Sequence, residues 1–328
     1  MNGFRMSEFR VVADGLEYPE GPVYQSDGSI LLVEIHKGTL TRIMPDGTKQ
    51  MVANLGGGPN GAAIGPDGAV YVCNDGGLAW TQIPGTPNTL PVLVPTGQPP
   101  NYTGGSIQRV SGGAFTTLYA QCNGAQLRSP DDLVFDATGN FWFTDWGKQR
   151  PADRDITAVY YAYSDGTKIT QAIPQRSAPN GIALSPDDSR LYVAETYARW
   201  ILYWELSSPG VIKPNRNTLD GSYLLTAEIP GQGTLDSMAV DEEGNVYAAT
   251  MLPQGPNPAV PGGITVISPQ GKILDFIELM VEGKPEPLPS NLCFGGPGRR
   301  TAFITLAGTG RLAACEMKFP GKALHFGS

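Results

Sequence analysis

The sequence predicts an all-β fold, a six-bladed β-propeller with four-stranded antiparallel blades. Three observations point to it. One phrase recurs six times along the 328 residues, at intervals of roughly 40 to 70 residues, and a repeat on that scale marks a repeat architecture. Every copy reads as two apolar strands joined by a tight polar turn. No stretch carries a convincing amphipathic helix at 3.6-residue spacing, which disfavours α/β folds.

The clearest copy is Pro179 to Glu195, PNGIALSPDDSRLYVAE. Each copy opens with a polar residue, and eight positions later comes a Gly or Asp turn. The pairs are Glu20 and Gly28, Asn60 and Gly68, Asp131 and Gly139, Asn180 and Asp188, Asp236 and Gly244, and Ser290 and Gly298. Positions three and four after the opener are apolar, from Val23-Tyr24 to Cys293-Phe294, as expected of a strand packed on both faces. The turns (SDGS, PDGA, ATGN, PDDS, EEGN, GPGR) supply Gly or Asp where positive φ is needed. A second apolar run comes next: ILLV, VYVC, FWFT, LYVA, VYAA and AFIT. Third strands are read at 38–43, 105–110, 158–163, 200–205, 263–268 and 311–317, and weaker fourth segments come after several of them. Four strands in each of six units make the propeller.

Composition agrees. Hydrophobic residues make up 41% of the chain, ample for a core. The 42 Gly and 29 Pro suit many short strands joined by turns. No stretch resembles an interdomain linker, so residues 1–328 read as a single domain. The formal charge of -8 argues against nucleic acid or an anionic membrane as partner. Oligomeric state is left open. Cys73, Cys122, Cys293 and Cys315 are widely spaced, with no CxxC pair, and fit buried thiols in a reducing compartment. His36 and His325 are the two histidines, too few for a multi-histidine metal site. The first residues, MNGFRMSEFR, contain no secretory apolar run, and nothing approaches a membrane span. A soluble cytoplasmic protein is expected.

Two insertions interrupt the repeat. Residues 81–103 are rich in Pro and Thr, and either form a surface loop or cover the propeller mouth as a lid. Residues 253–262 could act similarly from another blade.

The first strand of each blade lines the central channel, so the six openers form a ring at one mouth. Fourteen residues after the openers lie Glu34, Asn74, Asp145, Glu195, Thr250 and Thr305, a second polar ring further from the axis that reads as support for the first. Neither ring contains Lys or Arg. At about 4 Å and an effective dielectric near 20, each carboxylate pair costs roughly 4 kcal/mol, so the ring calls for protons, a cation or a metal. Oxygen-only donors favour a hard divalent cation: Ca²⁺ first, then Mg²⁺ or Mn²⁺, with Zn²⁺ less favoured without His or Cys ligands. The alternative is structural. Asx residues after Pro cap strand ends and form turns, a role that suits Asn60 and Ser290 best and Glu20 least.

These residues carry a resemblance. The phrases EGP at 20–22, RSPDDLVFDATGNFWFTD at 128–145, APNGIALSPDDSRLYVAE at 178–195, LDSMAVDEEGNVYAA at 235–249 and FGGPGRRTAFIT at 294–305 together resemble the family of gluconolactonase, senescence marker protein and luciferin-regenerating enzyme. The resemblance implies a six-bladed propeller with a divalent metal on its axis, hydrolysing sugar lactones and other cyclic or phospho-esters. It implies Glu20, Asn180 and Asp236 as metal ligands. The family usually has Asn, touching metal or substrate, where this chain has Asp131, and Gly where it has Ser237. The first change adds negative charge beside the ion, and the second adds a hydroxyl near substrate. Asn60 and Arg128 are further candidates for binding substrate, although Arg128 fits a surface residue as well.

The expected activity is metal-dependent opening of a lactone, with Asp236 as general base or nucleophile and Asp131 second. Two alternatives use the same architecture: a phosphotriesterase-like hydrolase on the same metal, and a non-enzymatic binding propeller. A strictosidine-synthase-like condensing propeller has no well-placed catalytic Glu to support it.

Overall fold

The computed structural model describes residues 3–251 and 259–327. It is a six-bladed β-propeller of antiparallel blades. Blade 1 runs outward from the axis through Pro19–Tyr24, Ile30–Glu34, Thr39–Ile43 and Lys49–Asn54. Blade 2 has Pro59–Ile64, Val70–Asn74, Ser106–Ser111 and Ala114–Tyr119. Blade 3 has Pro130–Phe135, Phe141–Asp145, Thr157–Ala162 and Ile169–Arg176. Blade 4 has Pro179–Leu184, Arg190–Glu195, Trp200–Ser208 and Tyr223–Thr226, with the short strand Val211–Ile212 appended. Blade 5 has Thr234–Val240, Val246–Met251, Gly263–Ile267 and Ile273–Glu278.

Blade 6 is assembled from both ends of the chain. Pro289–Gly295, Thr301–Leu306 and Arg311–Glu316 supply three strands, and Arg10–Ala13 adds the fourth against Arg311–Glu316. The sequence reading found the first three strands but not this closure. Four residues of weak alternation carry no repeat signal of their own.

The apolar core is a ring of six clusters, one between each pair of neighbouring blades. Val33 and Val72 pack between blades 1 and 2, Phe143 and Tyr71 between 2 and 3, and Trp142 and Val193 between 3 and 4. Ala194 and Val246 pack between 4 and 5, Val266 and Ile304 between 5 and 6, and Leu32 and Phe303 between 6 and 1. Second strands are buried on both faces, which is why ILLV or VYVC is apolar throughout rather than alternating. The turn residue eight positions after each opener has positive φ in all six blades, from 55° at Asp188 to 83° at Gly28.

The insertion at 81–103 contributes to a hairpin, Ala79–Ile83 with Val92–Gly97, between the second and third strands of blade 2. Leu78, Trp80 and Leu93 on this segment pack on Tyr18, Ile35 and Ala307, so the hairpin sits across the mouth rather than out in solvent. The 253–262 insertion lies largely outside the described residues. At the opposite mouth the C-terminal segment crosses the channel. Lys322 and His325 bond to Asp188, and Phe326 packs on Phe135. Cys73, Cys122 and Cys315 are buried, Cys293 partly so, and all four are free thiols. Among the described residues no helix is long and apolar enough to cross a membrane.

Candidate functional site

The openers are the second residues of the inner strands in blades 1 to 4 and 6, and the third in blade 5. In blades 1, 2 and 4 the next residue is glycine, and packing explains these EGP and PNG motifs. A Cβ at Gly21 would lie 2.6 Å from the Ala62 backbone nitrogen. At Gly61 it would lie 2.5 Å from the Asp131 carbonyl oxygen, and at Gly181 2.6 Å from that of Asp236. In these three blades the inner strand presses on the backbone of a neighbouring blade, and no side chain fits between. That contact draws the openers of different blades together.

Five openers line one cavity of about 420 Å³ at the mouth: Glu20, Asn60, Asp131, Asn180 and Asp236. Ser290 does not. It is fully buried, with its hydroxyl within hydrogen-bond reach of the Pro19 carbonyl and Thr305. Arg128 is exposed and outside the cavity lining. Its backbone N–H donates to Asp145 and its carbonyl accepts from Tyr102. Ser237 is 1% exposed and also outside the lining, beside the Asp132 carboxylate.

Three residues of the second ring act on backbone. Asp145 accepts the N–H groups of Arg128, Ser129 and Gly147, fixing the entry to Pro130-Asp131. Glu34 accepts the Glu17 N–H, three residues before Glu20. Asn74 accepts from Gly58, two before Asn60. Each of these polar residues holds the chain just ahead of its opener, rather than the opener's side chain.

The cavity floor is acidic and unevenly satisfied. Glu20 Oε2 accepts from Gly21 N at 2.7 Å and from Asn291 Nδ2 at 2.8 Å, while Oε1 is buried without a partner. Asn60 Nδ2 donates to Asp131 Oδ2 at 3.1 Å. Asn180 Nδ2 donates to Thr196 Oγ1 at 3.3 Å, and its Oδ1 is buried without a partner. Burial, and then the negative charge of Asp236, hold the Glu20 carboxyl well above its ordinary range. Asp131 is raised by burial, then by Asp236 and Glu20. Asp236 is pushed up to about 7 by burial, while the Asn180 amide pulls it down. Among the described residues no group of three or more His, Cys, Asp and Glu side chains gathers closely enough to hold a metal on its own. The donor set at the mouth mixes carboxylates with the Asn180 carboxamide.

The walls come from residues the sequence reading did not single out: Tyr18, Ile35, Leu78, Asp75, Val94, Pro95, Trp146, Thr196, Tyr197, Met251 and Leu288. A register signal existed. Ile35, Asp75, Trp146, Thr196 and Met251 each come one position after a second-ring residue, so the repeat that located both rings also located this layer. Asp75 is raised by burial and pulled back by Lys148, a fully buried lysine 3.4 Å away that donates to the Gly77 carbonyl. No Lys or Arg lines the cavity among the described residues.

Comparison with known proteins agrees with the fold. Residues 18–308 match the family model described as the SMP-30/gluconolactonase/LRE-like region. A gluconolactonase of Zymomonas mobilis is 27% identical over 90% of this chain and 78% of its own length. A Staphylococcus aureus lactonase is 30% identical over 72% of this chain, and the match spans 64% of that protein. Among solved structures, a gluconolactonase of Xanthomonas campestris has a TM-score of 0.69 at 20% identity, covering 97% of this chain and 95% of its own. A calcium-binding protein, regucalcin, of Agrobacterium tumefaciens has a TM-score of 0.70 at 15% identity, covering 99% and 100%.

Proposed function

The chain belongs to the SMP-30/gluconolactonase/LRE-like family, and on that premise we propose that it is a divalent-metal-dependent hydrolase that opens an uncharged lactone. The observation that carries the reading is the pair of buried, unpartnered oxygens, Glu20 Oε1 and Asn180 Oδ1, in a cavity that also holds Asp131 and Asp236. A buried carbonyl or carboxylate oxygen without a partner costs about 1–3 kcal/mol and calls for an explanation. Oxygen donors of this kind fit a hard cation, Ca²⁺ foremost. Glu20, Asn180 and Asp236 would hold it, with Asp131 beside them. The relatives named as lactonases support the substrate class.

When bound, such an ion polarises a carbonyl and stabilises the negative charge that develops on its oxygen. The protein's residues supply the rest. Asp236 takes the proton of the attacking water as that water adds to the lactone carbonyl carbon. It returns the proton to the ring oxygen as the ring C–O bond breaks. Asn60 fixes the orientation of Asp131 through its amide, and Asp131 is the second candidate base. Apolar walls from Ile35, Leu78, Val94 and Met251 exclude water around the reacting bond. Among the described residues the lining contains no cation for a phosphate or carboxylate substituent, which favours a neutral substrate.

The test is metal analysis of the purified protein, with turnover of glucono-1,5-lactone, δ-valerolactone and a phosphorylated sugar lactone before and after chelation. The reading requires activity on a neutral lactone, its loss with EDTA, its recovery with Ca²⁺, and a fall of at least about a thousandfold in Asp236→Ala. Activity that survives complete metal removal would defeat the metal dependence. Full activity in Asp236→Ala removes that residue from the mechanism.

A further inference from the structure

We propose that Tyr18 is a substrate-binding residue whose phenol O–H donates a hydrogen bond to an oxygen of the bound lactone. The assignment rests on the lactone-hydrolase reading and adds a residue to it.

Tyr18 lines the mouth cavity and is 7% exposed. Buried tyrosine hydroxyls ordinarily find a partner. The Tyr18 hydroxyl has none among the described residues, and it is not one of the atoms sealed away from solvent. It therefore opens onto the cavity. It stands within electrostatic reach of Asp236, Glu20 and Asp131, the three carboxylates of the floor.

Several of the cavity's other donors bond within the protein. Asn60 Nδ2 serves Asp131, Asn180 Nδ2 and Trp146 Nε1 serve Thr196, and Gln149 Nε2 serves the Arg150 carbonyl. A lactone presents two acceptors, its carbonyl and ring oxygens, to a floor that is itself rich in acceptors. Ser129, Thr96, Thr196, Thr234 and Tyr197 also bring hydroxyls to the lining. Tyr18 combines a buried ring with a place near all three floor carboxylates, whereas Tyr197 is 53% exposed.

The backbone gives an independent reason to ask why a tyrosine is here. Tyr18 has φ 61°, the left-handed region that a bulky residue rarely adopts. The equivalent position in blade 4, two before the opener, is Ala178, also with positive φ, at 52°. The turn is thus satisfied by a side chain with no ring. In blade 1 it carries a phenol, braced against Trp80 with ring centroids 4.8 Å apart. Trp80 comes from the hairpin across the mouth, so that hairpin fixes the ring which faces the floor.

The test compares wild type with Tyr18→Phe, which keeps the ring and the stack and removes only the hydroxyl. Thermal unfolding checks that the variant folds. The readouts are kcat/KM on δ-valerolactone and glucono-1,5-lactone, and inhibition by δ-valerolactam, a ring of the same shape that resists opening. The expected result is an unchanged unfolding midpoint, a fall of about tenfold or more in kcat/KM, and weaker lactam inhibition. Ser129→Ala, made in parallel, is expected to fall by less than Tyr18→Phe. Wild-type kcat/KM and lactam inhibition in Tyr18→Phe would overturn the assignment while leaving the lactonase reading intact. A wild-type protein that opens no lactone would overturn both.

Discussion

Asn291 donates its side-chain amide to Glu20 Oε2 at 2.8 Å, joining the inner strands of blades 6 and 1 across 271 residues of sequence. It spans the seam where the ring closes, beside the bond from the Ser290 hydroxyl to the Pro19 carbonyl. Its consequence for Glu20 is asymmetric. One carboxylate oxygen is held by Asn291 and the Gly21 N–H, and the other is left free toward the channel. In Asn291→Ala, Glu20 loses that orienting bond. Ca²⁺ affinity, measured by calorimetry on chelator-treated protein, is expected to fall by about tenfold, with a smaller loss of unfolding free energy of about 1–2 kcal/mol.

Gly181→Ala tests the close approach of the inner strands. The added Cβ would meet the Asp236 carbonyl at 2.6 Å, a backbone atom that cannot swing aside. The expected cost is about 1–3 kcal/mol in denaturant unfolding. Turnover is expected to fall further than stability explains, because the displaced backbone carries Asp236. An equal effect on both would mean that the glycine serves packing alone.

Asp145 gives a pH dependence with a defined sign. Burial pushes its carboxyl up to about 6, against the pull of three backbone N–H groups, from an ordinary value near 3.8. The folded state therefore keeps a proton that the unfolded chain releases first. The stability this contributes is fully present below about pH 4 and is lost as pH rises through about 6. Relative to the non-titrating Asp145→Asn, the wild type is expected to lose up to about 3 kcal/mol of unfolding free energy across that window. Urea unfolding at pH 4 and pH 7 measures it. An unchanged difference between the two proteins at both pH values would contradict the shift.

Arg128→Ala is expected to change kcat/KM by less than about twofold. The side chain is exposed and outside the cavity, and the hydrogen bonds at this position are made by its backbone. A large loss on the lactone panel would show that the guanidinium reaches substrate after all.

The blades were legible because each repeats a phrase with a physical cause: an apolar strand, a turn needing positive φ, and a second strand buried on both faces. The same register located Glu20, Asn60, Asp131, Asn180 and Asp236, which do share one cavity. Ser290 takes the structural role expected of it, its polarity serving a bond to the Pro19 carbonyl rather than the mouth. Ser237, named from the family resemblance rather than from the register, lies outside the lining because the residue one step past an opener sits in the channel wall. Tyr18, Trp146 and Tyr197 were missed since an aromatic residue beside a strand reads as core. The strand Arg10–Ala13 was missed because its partner lies some 300 residues away, and nothing local announces the pairing.

That pairing has a consequence for biosynthesis. The outermost strand of blade 6 emerges from the ribosome some 300 residues before its partner, Arg311–Glu316. Glu20 likewise waits for Asn291. The nascent polypeptide can stack blades one after another as they appear, yet the circle stays broken until the strands of blade 6 are made. Hydrolytic competence is accordingly acquired only with the sixth blade, and a ribosome stalled before residue 291 would carry an open, inactive arc.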